Sequence, residues 1–313
     1  MLSYSRFILP AQILWLAFSP YAISTPQQPT SRPESERIML TVTVKNRAGE
    51  YVMGLKRDAF DLTDEKDVRH VEFFEDADNP VSIGILIDTS ESMEFLELKE
   101  FARAQAIAEA VSGLFELGHA NNEYFLMAFD RKPRILSDWT SGQALLAQKT
   151  QLKQEKGNTA MYDACLAALD KLKTGRHSKK VIILVSDGLD NISRHTLKEV
   201  RDSLRDSDII LYGILVRNVS DLSSNVVEGE QVLTELADVT GGEILIARNK
   251  NQLDRAVEVI ATQLHHQYQI GFQSADGPTK KWHRIKLKVT LPPNASQEFS
   301  KLTVRTRQGY YTR

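Results

Sequence analysis

Residues 81–93 read VSIGILIDTSESM. This stretch begins as an apolar run of the kind found in strands that are buried on both faces of a sheet. The run ends at Asp88, and serines follow at alternate positions, as Ser90 and Ser92. Packing gives a buried strand no reason to end in an acid and two hydroxyls, whereas the binding of a metal ion does.

Similar apolar runs recur up to about residue 263 and alternate with segments of helical periodicity. The runs are EYFLMAFD, KKVIILVSDG, IILYGILV and GEILIA, and the helical segments include FLELKEFARAQAIAEAVSGLFE, MYDACLAALDKLK and NQLDRAVEVIATQLHHQ. Apolar strands that alternate with helices predict a parallel sheet that is covered on both faces. We therefore predict an α/β fold for residues 81–263, with a doubly wound, mostly parallel, Rossmann-like sheet.

The sequence on both sides of this block alternates apolar and polar residues instead. Residues 38–80 predict a hairpin that turns at Asn46–Gly49, followed by another pair of short strands. Residues 264–313 predict three antiparallel strands, at HQYQIGFQS, WHRIKLKVTL and KLTVRTRQGYY. We expect these N- and C-terminal β segments to pair with each other and to bracket the α/β block.

The N-terminus has the order of a secretory signal. Arg6 precedes an apolar run, and Ala22-Ile23-Ser24 offers a cleavage point, so residues 1–24 are predicted to be a signal peptide. An uncleaved membrane anchor is the alternative, although the run is short for a bilayer span. Residues 25–37, TPQQPTSRPESER, form a predicted linker. We expect an exported protein, periplasmic or secreted, with no transmembrane segment in the mature chain.

Charge and cysteine content narrow the function classes. The formal net charge of the 313 residues is −2 at pH 7, so no overall charge points to a nucleic-acid partner. The single cysteine, Cys165, excludes an internal disulfide and is expected to be a small buried hydrophobe. His265 and His266, at a helix end, are expected to be solvated. The C-terminal β segment is basic, and a solvated strand face is expected for Lys280, Lys281, Arg284, Lys286, Lys288, Arg305 and Arg307.

Two apolar runs end in an acid, Asp88 and Asp187, and a third loop brings Thr159 to the start of a helix. Because binding crevices of open α/β sheets lie at the carboxyl ends of the strands, we expect these side chains to meet there with Ser90 and Ser92. All five offer oxygen, which predicts a hard divalent ion, Mg²⁺ first and Mn²⁺ or Ca²⁺ as alternatives. Helix N-termini beside the hydroxyls would favour an incoming anion. The simpler interpretation is a turn and a helix cap.

Three motifs, DTSES (88–92), GNT (157–159) and SDG (186–188), resemble the metal-ion-dependent adhesion site of the von Willebrand factor A domain. The resemblance implies that the serines and the threonine ligate the ion directly and that Asp187 acts through water. The flanking β segments resemble those of a bacterial exported subgroup of the family. Glu91 and Asn158 depart from the pattern, because small residues such as glycine are common at both positions.

These features predict a non-enzymatic binding module for adhesion or envelope assembly, whose protein partner presents an Asp or Glu carboxylate to the ion. Two alternatives are left open, a metal-assisted hydrolase and a scaffold that binds through its β segments. A hydrolase needs a general base. No histidine is expected near the three loops, which leaves Glu91 as the candidate base. The sequence specifies no oligomeric state.

Overall fold

The computed structural model describes residues 36–90, 93, 100–148, 152, 158–217, 224–274, 280–291 and 301–312, with the backbone alone at 100–104, 148 and 224–226. The predicted signal peptide at 1–24 and nearly all of the predicted linker at 25–37 lie outside this part of the chain, as do Glu91 and Ser92.

Strands and helices follow the predicted alternation. The described strands are β1 (Arg37–Lys45), β2 (Phe60–Asp64), β3 (Asp67–Arg69), β4 (Phe73–Glu75), β5 (Val81–Asp88), β6 (Glu123–Phe129), β7 (Pro133–Ser141), β8 (Lys179–Ser186), β9 (Ile209–Val216), β10 (Ile244–Ala247), β11 (Tyr268–Gln273), β12 (Trp282–Val289), β13 (Thr303–Arg305) and β14 (Gly309–Tyr311). The helices are α1 (Glu100–Leu117), α2 (Gly142–Gln148), α3 (Met161–Leu172), α4 (Leu197–Arg205), α5 (Ser224–Thr240) and α6 (Lys250–His265). None of these helices is long and apolar enough to cross a bilayer.

A six-stranded sheet in the order β10-β9-β8-β5-β6-β7 forms the centre of the α/β block. Its strands are parallel except β7, which runs antiparallel to β6. Every residue of β5, β6 and β9 is buried, and one apolar core cluster lies on each face of the sheet. The predicted α/β fold with a mostly parallel, helix-covered sheet is therefore confirmed.

Strand β7 was not predicted from the sequence. Its residues, PRILSDWTS, are half-buried or exposed, and its pairing with β6 contains register shifts. An edge strand covers less apolar surface than a central one, so it lacks the continuous apolar run that marks β5 or β8.

The flanking β segments form two antiparallel four-stranded sheets. One has the order β13-β1-β11-β4, in which strands from before and after the α/β block alternate, and the other has the order β14-β12-β2-β3, in which β12 from after the block pairs with β2 from before it. Side chains from both sheets share one apolar core cluster, which includes Leu40, Leu62 and Tyr268. The strands that precede the α/β block are therefore paired with the strands that follow it.

Two details of the β segments differ from prediction. The turn at Asn46–Gly49 forms, but its returning arm makes only a single bridge, between Lys45 and Tyr51, so there is no full hairpin. The stretch KLTVRTRQGYY is not one strand, since β13 and β14 belong to different sheets. The C-terminal β segment follows the last helix of the α/β block, which ends at His265.

The β segments meet the α/β block at a seam formed by Lys45, Glu243, Gln263, Arg305 and Arg307. Lys45 Nζ lies 3.0 Å from Glu243 Oε1, and the buried Gln263 donates from Nε2 to the Thr43 hydroxyl at 3.4 Å. Arg305 Nη2 lies 2.9 Å from Asp238 Oδ1, and Arg307 Nη1 lies 2.6 Å from Asp208 Oδ1.

Some of the side chains that were expected to be solvated therefore form ion pairs or hydrogen bonds within the protein instead. The expectation is wrong for Arg305 and Arg307, and it holds for the exposed lysines and Arg284 of the same segment. It is also wrong for His265, whose Nδ1 lies 2.7 Å from Asp78 Oδ2 and whose Nε2 lies 2.8 Å from the Leu117 carbonyl oxygen. His266 stacks on Tyr51. The alternation of the sequence indicated which face of the C-terminal strands is exposed, but it did not indicate that the α/β block packs against part of that face.

Candidate metal site

Three loops meet at the carboxyl end of the central sheet. The first loop follows β5 (residues 88–90), the second precedes α3 (158–160) and the third follows β8 (186–191). Strands β5 and β8 are neighbours in register, with Ile87 opposite Val185. The strand order reverses at β5, because β6 is added on one side of it and β8 on the other, and open α/β sheets form their crevices at such a switch point.

Asp88 lies at the centre of the first loop and is buried, with 1% of its surface exposed. Its Oδ1 accepts from the Ser90 backbone N–H at 2.9 Å and from the Ser90 hydroxyl at 2.5 Å. Its Oδ2 accepts from the Ser186 hydroxyl at 2.7 Å, which joins the first loop to the third. Ser90 is itself buried, whereas Ser92 lies outside the described residues.

The charge of this carboxylate is poorly compensated. The pKa of the Asp88 carboxyl is raised to about 7, first by burial and then by the charge of Asp187, against hydrogen bonds from Ser90 and Ser186 that lower it. A neighbouring charge of the same sign and the loss of water both disfavour the ionised form. The two carboxylates thus repel each other in a site that a cation would stabilise.

The second loop is held from two sides. Thr159 is buried, its backbone N–H donates to Asn191 Oδ1 at 2.8 Å, and its carbonyl accepts from the Asn191 N–H at 3.0 Å. The next residue, Ala160, donates its N–H to the carbonyl of Asp130 at the end of β6, at 2.6 Å. Asn191 therefore joins the second loop to the third through both its side chain and its backbone. The contribution of Asp130 was missed, because no local pattern links it to residue 160.

The third loop is fixed by its own polar groups. The Asp187 carboxylate accepts from the Leu189 N–H at 3.0 Å, and the Ser186 hydroxyl accepts from the Gly188 N–H at 3.0 Å. Further along, Asp190 Oδ2 accepts the N–H of Tyr162, in the first turn of α3, at 2.9 Å, and Ser193 Oγ accepts the N–H of Asp163 at 3.0 Å. Two N-terminal amides of α3 are thus occupied within the protein. The expectation that this helix end favours an incoming anion is not supported.

A histidine does lie near the three loops, contrary to expectation. His195 follows the third loop, and its Nδ1 lies 2.8 Å from Asp163 Oδ1. The same carboxylate oxygen accepts the backbone N–H groups of Arg194 and His195. The sequence argument missed the pair because Asp163 and His195 are 32 positions apart. Asp163 therefore ties α3 to the chain after the third loop.

The oxygen atoms at this place suit a hard cation. Asp88, Ser90, Thr159 and Asp187 supply carboxylate and hydroxyl oxygens from the three loops. Among the described residues, no group of three or more His, Cys, Asp or Glu could hold a metal ion, so a site here would depend on the hydroxyl oxygens as well as on the two carboxylates. The raised pKa of Asp88 fits a carboxylate whose natural neighbour is a positive charge. Such a set fits Mg²⁺, Mn²⁺ or Ca²⁺. The role of these residues and of Ser92 as ligands stays a prediction.

The first two loops and the start of the third lie within the segment of the chain that is similar to a known domain. Residues 83–189 match the von Willebrand factor type A domain. The matched segment begins in β5 and ends in the third loop, so it contains Asp88, Thr159 and Asp187. Among curated protein sequences, none matches this chain.

Several solved structures are similar. A von Willebrand factor type A protein from Catenulispora acidiphila has 13% identity and a TM-score of 0.48, with 90% of this chain and 75% of that chain covered. An aerotolerance-related membrane protein from Bacteroides fragilis has 16% identity and a TM-score of 0.45, covering 59% and 98%. The PilB minor pilin from Streptococcus sanguinis has 15% identity and a TM-score of 0.49, covering 60% of this chain and 61% of the pilin.

Proposed function

We propose that this protein is an exported, metal-dependent binding module. A divalent ion, Mg²⁺ first, would be held by Asp88, Ser90, Ser92, Thr159 and Asp187 and would accept a carboxylate from a protein partner. The observation that carries this proposal is the buried Asp88 carboxylate beside the like charge of Asp187. Export to the periplasm or the medium is proposed from the signal-like order of residues 1–24.

In this function the chain would orient the groups that hold the ion and would keep the number of negative charges around the ion low. Two carboxylates and three hydroxyls carry fewer negative charges than an all-carboxylate site, so a bound ion would keep attraction for an acidic ligand. Ser186 and Ser90 fix both oxygens of Asp88 in place. Asn191 fixes the backbone of Thr159 against the third loop.

Metal binding is tested first, by calorimetric titration of Mg²⁺, Mn²⁺ and Ca²⁺ into the metal-free protein. We expect one saturable site in the wild type and a loss of at least about 100-fold in affinity in Asp88→Asn, because even groups that only support a ligand are worth 10–100-fold. The asparagine keeps an oxygen for Ser90 and removes the charge. Asp170→Asn, at the exposed far end of α3, is the matched control and should bind like the wild type. Equal affinity in Asp88→Asn, or no wild-type binding at millimolar metal, would sink the proposal.

The acceptance of a carboxylate is tested separately, on the Mn²⁺-loaded protein. We expect acetate to lower the water-proton relaxivity, because a carboxylate that binds the ion displaces water from it. Acetamide has nearly the same shape without the charge and should leave the relaxivity unchanged. Identical responses to the two compounds would show that the ion does not select carboxylates.

A hydrolase remains the second candidate, and the His195–Asp163 pair is the observation that favours it. Asp163 orients one nitrogen of a half-exposed histidine, an arrangement that general bases use. Metal-dependent turnover in a panel of phosphoesters and esters, lost in His195→Gln, would establish it. A panel with no metal-dependent turnover would remove it. The scaffold alternative requires that Asp88→Asn still holds a partner with wild-type affinity.

A further inference from the structure

Helix α5 approaches the third loop more closely than a side chain would permit. A Cβ placed on Gly229 would lie 2.1 Å from the carbonyl oxygen of Asp187, and a Cβ placed on Gly188 would lie 2.3 Å from the carbonyl oxygen of Gly229. Both distances fall well inside the 3.0 Å that real Cβ atoms keep from other atoms. Backbone therefore touches backbone at this contact, with no flexible side chain between the two.

The two glycines are needed for different reasons. Gly188 has a φ of +83°, in the left-handed region that favours glycine. Gly229 lies within α5, where alanine would stabilise the helix by about 1 kcal/mol relative to glycine. The backbone conformation at position 229 does not require glycine. The close approach of this residue to the Asp187 backbone does require it.

The helix that makes this contact is itself well anchored. Leu233 and Leu236 are buried in the core on one face of the sheet. Arg201 Nη1, on α4, lies 2.6 Å from Glu235 Oε1, and Arg217 Nη1, just after β9, lies 2.9 Å from Glu230 Oε2. The third loop thus rests against a fixed support directly at Asp187.

We propose that Gly229 is a positioning residue of the metal site, through which the backbone of α5 sets the place of Asp187 relative to Asp88. This inference rests on the proposed function, since it assigns a role in holding the same ion. A Cβ at position 229 would push Asp187 away by about the 0.9 Å that separates 2.1 Å from 3.0 Å. Misplacements of about 1 Å are enough to cost large factors at sites that depend on geometry.

The test compares Gly229→Ala with Gly113→Ala. Gly113 lies within α1, and a Cβ there would meet only a side-chain carbon of Val257, at 3.3 Å. Mn²⁺ affinity is measured by electron paramagnetic resonance, and thermal unfolding is measured in chelator. We expect Gly229→Ala to lose roughly tenfold or more in affinity and Gly113→Ala to bind like the wild type. Wild-type affinity in a folded Gly229→Ala would overturn the inference.

A second variant decides the matter if Gly229→Ala shows no cooperative unfolding. Arg217→Gln removes the tether of α5 next to Gly229 without adding any atom to the contact. It also removes a positive charge, which by electrostatics alone would strengthen binding of a cation. We expect weaker Mn²⁺ binding instead, by roughly twofold to fivefold, the equivalent of a partly exposed ion pair. Unchanged or tighter binding would count against a positioning role for α5.

The two proposals fail in different ways. If the wild type binds no Mn²⁺, the proposed function is wrong and the role of Gly229 falls with it. If the wild type binds Mn²⁺ and both α5 variants bind equally well, only the positioning role is wrong. A change in the number of waters on bound Mn²⁺, read from relaxivity, would mark altered ligand geometry, which a loss of stability alone does not produce.

Discussion

Each end of the central sheet buries an ionisable side chain whose pKa is far from its usual value, and the two side chains differ in what faces them. At the carboxyl end, the pKa of Asp88 is raised to about 7, first by burial and then by Asp187. At the amino end, burial lowers the pKa of Lys179 to about 7, against the charge of Asp78, which raises it. The Lys179 ammonium donates to the carbonyl of Leu264, in the last turn of α6, at 2.6 Å.

The difference lies in the sign of the surroundings. A helix C-terminus presents partial negative charge, so α6 supplies Lys179 with an electrostatic partner from within the fold. Asp88 receives hydrogen bonds, but its charged neighbour Asp187 repels it. A perturbed pKa therefore does not by itself indicate a functional site. Lys179 thus has an electrostatic partner of suitable sign within the fold, whereas Asp187, beside Asp88, has a charge of the same sign.

The largest expected effect comes from removing the charge at the carboxyl end. In chelator at pH 8, we expect Asp88→Asn to be more stable than the wild type by roughly 1–4 kcal/mol, because each pKa unit corresponds to about 1.4 kcal/mol. Urea unfolding measures the difference. Added Mg²⁺ should stabilise the wild type and leave the variant unchanged. A metal-free variant that is clearly less stable would show that Asp88 is a structural hub, and the contrast between the two ends would fail.

The same group sets the acid side of the stability profile. Since the folded state binds the Asp88 proton more tightly than the unfolded chain, this contribution is full below about pH 4 and is lost as the pH rises towards 7. Asp88→Asn should remove that component of the slope in chelator. A slope that is equal in the variant and the wild type would assign it to other groups.

The amino end should show the opposite slope and a smaller change on substitution. Because the folded pKa of Lys179 is lowered, the unfolded chain binds more protons above pH 7, so stability should rise from about pH 7 to 10. Lys179→Met should flatten this rise. Its net effect at neutral pH should be smaller than that of Asp88→Asn, because the lost bond to Leu264 costs about 1–3 kcal/mol. Lys180→Met, on the adjacent and less buried residue of β8, is the control and should keep the rise.

Sequence patterns predicted the part of the fold that depends on local hydrophobicity. Strands such as β5 and β9 are apolar at nearly every position, because a strand that is buried on both faces of a sheet needs apolar side chains on both faces. Strand β7 escaped prediction because it lies at the sheet edge. The division of the last segment into β13 and β14 escaped it too, since alternation marks a strand but does not say which sheet it joins.

The sequence predicted the motif residues of the candidate site, but it did not predict the residues that hold those motif residues in place. Asp88, Thr159 and Asp187 end or precede elements whose order is visible in the sequence. Asn191 and Gly229 act through contacts with residues far along the chain, which only the packed structure reveals. The burial of Lys179 was equally hidden, because two lysines at the start of a strand look solvated.

The smallest expected effect is at the seam, and it tests whether the two ends are independent. Arg305 pairs with Asp238 and Glu243 through partly exposed side chains, so we expect Arg305→Gln to lower the free energy of unfolding by roughly 0.2–1 kcal/mol. The loss should shrink at high salt, because partly exposed pairs are screened. Metal affinity should not change, since the seam lies at the amino end of the sheet. A parallel fall in metal affinity would mean that strain at the β segments reaches the three loops, and the two ends would then have to be treated as one coupled system.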